Sequence, residues 1–176
     1  MSIEIVGHAI VSADGRIADR HHRTPPELRN DADWQRFQAA LDAAALVVLG
    51  RIGHEAHPNP GRKRVVVTSQ VAWIERDPGD DNAMLWNPGG IGFRRVLAGL
   101  GIEDGTVAVT GGTRVFDLFL PVFTRFDLVE VEAVTIPDGV PCFSGGLPQK
   151  MLADAGLTPS TPETIAPDVK LTVWQR

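Results

Sequence analysis

The order of apolar and polar positions divides the chain into alternating short strands and helices. Residues 3–12, IEIVGHAIVS, are rich in β-branched and small apolar side chains and predict a buried strand. The next stretch is polar, with Gly15 and a Pro25-Pro26 pair, and predicts a long loop of the kind that often carries function. Asn30 is a good N-cap, and Asp31 and Asp33 sit where a helix dipole favours negative charge. Trp34, Phe37 and Leu41 then recur at helical spacing, so a helix is predicted over 31–44. ALVVLG at 45–50 and KRVVVTS at 63–69 predict two further buried strands, separated by a loop containing Pro58 and Pro60.

Residues 75–90 are loop-rich with a short strand at 83–86, and 93–100 predict a helix ended by Gly101. TVAVT at 106–110 is a strand, followed by Gly111-Gly112 and a helix, TRVFDLFL, stopped by Pro121. FDLVEVEAV at 126–134 alternates as a strand does. Two more strands are expected at 157–164 and 169–175, with no helix between them. Strands alternating with helices predict a mostly parallel α/β sheet, and the closing pair predicts an antiparallel edge.

Composition narrows the function. The chain has 176 residues, 43% of them apolar, which is enough for one domain over 1–176 with a sizeable core. Seventeen basic against 22 acidic residues leave a net charge of −5, with no basic block. That argues against a nucleic-acid partner and against a polybasic membrane-binding surface. No apolar run approaches the ~20 residues of a membrane helix, and the N-terminus lacks the pattern of a secretory signal. A lone cysteine, Cys142, excludes an intrachain disulfide and fits a reducing cytoplasm.

The strongest local chemistry is strand–Gly-Gly–helix at 106–120. Two glycines let backbone approach a ligand, a helix N-terminus offers unpaired N–H groups to phosphate, and Arg114 can add a charge-assisted bond. The same segment could serve as a plain tight turn. Leu49-Gly50-Arg51-Ile52-Gly53 and Thr68-Ser69-Gln70 also follow strands, where open α/β sheets bind ligands. Three such strand ends make a stronger pattern than any one.

Together, LGRIG at 49–53, VVVTSQ at 65–70 and VTGGTRVFDLFLP at 109–121 resemble the dihydrofolate reductase superfamily over most of the chain. VSADGRIAD at 11–19 and IPDGVPCF at 136–143 are similar to segments of its riboflavin-pathway reductase branch, with Asp138 in place of a usual glycine. The resemblance implies a three-layer α/β/α fold and hydride transfer from NADPH to a pyrimidine- or pterin-like small molecule, by preference the ribosylamino-uracil intermediate of riboflavin synthesis. It implies that Gly111 and Gly112, often joined by a cis peptide in that family, pack on the pyrophosphate. Arg51, Ser69 and Arg114 would surround the adenosine 2′-phosphate, with Gly50, Thr68, Thr110 and Thr113 completing the cofactor contacts. A homodimer is expected from the riboflavin-type relatives. Two departures set the chain apart from dihydrofolate reductases proper: the first long loop has no tryptophan, and Val129 stands where they carry a threonine. A non-catalytic nucleotide-binding module would keep the same phosphate loops.

On the substrate side, the family places a carboxylate near the start of the first helix, followed by an apolar residue and a phenylalanine. Asp33, Trp34 and Phe37 match, with Asp31 as the alternative acid; both acids also sit where helix starts favour them. A buried carboxylate can pair with the amidine-like edge of such a ring and favour its protonation. His8, on the first strand, points either at substrate or at core, and Asp14 lies in the loop beyond it. His54-Glu55-Ala56-His57 lacks the spacing of a zincin helix, so no metal is expected. Gly90-Ile91-Gly92 lacks the third glycine of a dinucleotide fingerprint, and His21-His22 reads as solvated.

Overall fold

A computed structural model describes residues 2–176. Its strands are β1 (Ile3–Ser12), β2 (Arg16–Ala18), β3 (Leu46–Gly50), β4 (Arg64–Val67), β5 (Ile74–Arg76), β6 (Ala83–Trp86), β7 (Gly105–Val109), β8 (Arg125–Val131), β9 (Val140–Pro141), β10 (Thr158–Pro159), β11 (Glu163–Ala166) and β12 (Val169–Gln175). Its helices are α1 (Asp31–Ala43), α2 (Arg51–Ala56), α3 (Phe93–Gly99), α4 (Thr113–Phe119) and α5 (Pro148–Asp154). One sheet runs β10-β12-β8-β1-β7-β3-β4-β6-β5, with β11 also on β12. Every pairing from β8 to β6 is parallel, and β5, β10, β11 and β12 join antiparallel. The mostly parallel sheet with an antiparallel C-terminal end is thus as the sequence pattern predicts.

Alternation along the strands sets the layers. Val48, Val65, Val107 and Val109 point to one face, where they meet Leu97, Phe116, Phe119 and Leu152 of α3, α4 and α5. Val47, Leu49, Val66 and Ala108 point to the other, under Leu41 of α1. Asn30 caps α1, its side chain accepting from the Asp33 N–H at 3.0 Å. A separate apolar cluster on the α1 side joins Leu28 to Val129 and Val131 of β8 and Val169 and Leu171 of β12. Between these two clusters the sheet carries polar side chains, at His8 of β1 and Asp127 of β8, which are paired in register.

Several short elements differ from the sequence-based expectation. The expected loop at 51–63 begins with α2, which has a glycine inside it and a proline soon after it, and is too short to show a period. The loop after β1 contains β2, which pairs with β9. β5 forms beyond β6, and the strand expected at 157–164 is divided into β10 and β11 around Ser160–Pro162. β8 ends at Val131, three residues short of its expected end, where the chain turns. The sequence reading has no counterpart for α5. Its marks are Pro148 in its first turn and Gly156 just past its end, where φ is +92°.

Candidate active site

Two regions on the C-terminal side of the parallel strands gather the candidate residues. The first is built by β3 and β7. The Gly50 N–H donates to Gly111 O at 2.8 Å, and the Thr110 N–H donates to Val48 O at 2.9 Å. These bonds hold the Gly111-Gly112 turn, whose peptide is cis, against the end of β3. The two glycines differ. Gly111 has φ +97°, and a Cβ there would come 2.7 Å from the Phe116 ring, so the turn itself requires glycine. A Cβ on Gly112 would meet only Ile17 Cδ1 among the described residues, at the ordinary contact distance of 3.8 Å, so there is room for a side chain. The Thr113 hydroxyl donates to Pro141 O at 2.6 Å, tying α4 to β9.

Beside this cradle lies a cleft of about 380 Å³ lined by Arg51, His54, Glu55, Pro58, Val66, Thr68, Gln70, Asp77 and Leu85. Arg51 Nε donates to Glu55 across one turn of α2 at 3.0 Å, with both side chains more than half exposed. Ser69 and Arg114 are exposed and do not line the cleft. His54 Nε2 lies 3.2 Å from Asp77 Oδ2, whereas His57 packs on Trp34 at a ring separation of 6.1 Å, so the two histidines serve different neighbours. Among the described residues no group of three or more His, Cys, Asp or Glu side chains is placed to hold a metal ion.

The second region is where α1 crosses β1 and β8. Asp33 is buried at 8% exposure, and Arg36, one turn on, bridges two acids: its NH2 reaches Asp33 Oδ1 at 3.0 Å and its NH1 reaches Asp127 Oδ2 at 3.1 Å. Arg125 holds the far side of Asp127, at 2.6 and 3.1 Å. Burial pushes Asp33 above the usual carboxylate range, with Arg36 pulling back. Burial also takes His8 down to about 4, Asp127 opposing and Arg36 and Arg125 assisting, so His8 is neutral near physiological pH. His8 Nδ1 stands 3.8 Å from Asp127 Oδ2 and has no hydrogen-bond partner among the described residues. Rings continue outward from it: His8 to Phe37 at 5.7 Å, Phe37 to Trp34 at 6.3 Å, then His57. The series runs from a buried histidine through a half-exposed tryptophan to an exposed histidine.

Asp33, Trp34, Phe37 and His8 therefore come together. Asp31 is exposed on the first turn. Asp14 is engaged elsewhere, accepting from Ser12 Oγ and the Ile136 N–H; burial raises its carboxyl and these bonds outweigh it, leaving it below the usual range. It lies in the wall of a second cavity of about 240 Å³ with Arg16 and Phe143. Sequence reasoning passed over Arg36, Asp127 and Arg125. The available signal was Asp127 itself, a lone acid on the inward face of a strand whose next inward positions are Val129 and Val131.

No protein-family model matches the chain, and no curated protein matches it in sequence. Solved structures do. A protein of Shewanella sp. PV-4 described as a riboflavin biosynthesis protein matches over 98% of both chains, with a TM-score of 0.69 and 16% identity. A diaminohydroxyphosphoribosylaminopyrimidine deaminase/5-amino-6-(5-phosphoribosylamino)uracil reductase of Thermotoga maritima matches 98% of this chain and 56% of its own, with a TM-score of 0.68 and 16% identity. This chain thus spans a little over half of that protein. The dihydrofolate reductase of Enterococcus faecalis, solved with NADP(H) and RAB-propyl, matches 98% of this chain and 96% of its own, again with a TM-score of 0.68 and 16% identity. With its parallel sheet, antiparallel C-terminal edge and layered helices, the chain has the dihydrofolate reductase-like fold.

Proposed function

We propose that this chain is an NADPH-dependent reductase acting on a pyrimidine- or pterin-like ring, nearest in kind to the aminouracil reductases of riboflavin synthesis. The observation that carries this reading is the open backbone at Gly112, held by β3 and flanked by Ile17, next to the Arg51–Thr68 cleft. A pyrophosphate needs such close backbone approach, and an extra 2′-phosphate needs cations and hydroxyls. Gly50, Thr110, Gly111, Gly112 and Thr113 would hold the first, and Arg51, Thr68, Ser69 and Arg114 the second. NADP(H) in the Enterococcus faecalis structure lends support by likeness of fold.

When bound, NADPH supplies the hydride. The chain's residues do the rest: Asp33 holds the polar edge of the ring and handles its proton, Phe37 and Trp34 offer the ring a face, and neutral His8 closes the inner wall. Asp14, assigned to the substrate from sequence, acts in this reading through the loop it staples. A homodimer, implied by the family resemblance, and a reducing cytoplasm, in keeping with the buried thiol of Cys142, belong to the same reading.

NADPH consumption over a panel of aminouracils and pterins tests it. Turnover on one of them, lowered roughly 100-fold or more by Asp33→Asn with little change in NADPH affinity, is expected for an acid–base role. A variant with near-normal turnover would reduce Asp33 to a helix-start residue. No turnover with any ring, alongside tight NADPH binding, would favour a nucleotide-binding module.

A further inference from the structure

Carboxylates and guanidinium groups balance in the buried cluster beneath α1. Asp33 and Asp127 supply two negative charges, and Arg36 and Arg125 supply two positive ones. The charged groups acting on Asp33 are Arg36 on its own helix and Asp127 on β8. Arg125 on β8 and His8 on β1, neutral near physiological pH, face Asp127, and Glu4 on β1 acts on Arg125. Asp33 is thus ion-paired to Arg36 before any ligand arrives. Arg36 lies between both acids, and its Nε is buried without a hydrogen-bond partner among the described residues. A guanidinium matches carbonyl oxygens, and it repels a ring that has taken up a proton.

We propose that Arg36 is a specificity-determining residue: by neutralising Asp33 it makes the site select an uncharged, carbonyl-bearing ring over a protonated diaminopyrimidine. This rests on the reading of Asp33 as the ring anchor. A lone buried carboxylate would do the opposite, since a cationic ring is the partner that best relieves its burial. Selection arises as much from repelling the wrong ring as from binding the right one.

The test is calorimetric titration of wild type and Arg36→Met with two probes, 5,6-diaminouracil and a 2,4-diaminopyrimidine, at a pH where the latter is protonated. Wild type should bind the uracil more tightly. Arg36→Met should move the ratio of the two affinities toward the cation by roughly tenfold or more, the size expected when one close opposite charge is removed. Should Arg36→Met fail to fold, the double variant R36M/D127N, which removes one charge of each sign, reads the same ratio. A wild type that prefers the cation, a wild type that binds neither probe, or a ratio unchanged by the substitution overturns the assignment. Because the titrations need no cofactor, the two readings fail separately. A switched ratio in a protein that does not take NADPH would overturn the reductase reading alone, and NADPH oxidation with an unswitched ratio would overturn this one alone.

Discussion

At the scale of single residues, Gly112 and Gly111 separate binding from folding. Gly111 is held by the turn, at positive φ and against Phe116. Gly112 has φ −75°, and a Cβ there would make only an ordinary contact, with Ile17 at 3.8 Å. Gly112→Val should therefore leave a folded protein that no longer binds NADPH, read by circular dichroism together with a cofactor titration. Normal binding by that variant would make the turn a plain connector.

His8 gives a second residue-scale expectation. Its folded-state pKa lies near 4, below the ordinary 6.5, because burial favours the neutral ring. The stability tied to this is fully present above 6.5 and is lost as pH falls toward about 4. The shift corresponds to about 3 kcal/mol. Asp33, raised by burial, works in the opposite sense, so the difference between two proteins is the useful quantity. Urea midpoints should fall more steeply in wild type than in His8→Leu as pH drops from 6.5 toward 4. Parallel curves would mean that His8 does not titrate in this way.

At the scale of elements, what the sequence disclosed follows from how each element is stabilised. β3, β4 and β7 are covered on both faces, so they appear as valine-rich runs bounded by glycine or polar residues. α1 shows both its cap and its apolar stripe. α2 and α5 are short and are fixed by their neighbours, α2 on β3 and β4 and α5 on β10. Gly50-Arg51 and Gly111-Gly112 were legible because each is local. The Arg36–Asp127 pair spans 91 residues and exists only because α1 lies across β8. Since α1 carries Asp33, Arg36 and Phe37, its cap supports the acid cluster and not the glycine cradle. Asn30→Ala should lower stability by about 1 kcal/mol and leave NADPH affinity unchanged, as thermal melting and titration would report. An equal loss of NADPH affinity would mean that the two regions are coupled.

For the whole molecule, the sheet sets the glycine turn at β3 and β7 beside an ion-paired acid cluster at β1 and β8. No described helix is long and apolar enough to cross a membrane. The central claim is that the cradle and its neighbouring cleft recognise a dinucleotide bearing a 2′-phosphate. Dissociation constants for NADPH and NADH, measured by titration at fixed ionic strength, test it most directly. NADPH should bind more tightly, and Arg51→Ala should weaken NADPH by roughly tenfold or more with little effect on NADH, in line with the loss of one charge-assisted contact. Equal affinities for the two nucleotides, or an Arg51→Ala variant that weakens both alike, would contradict the account.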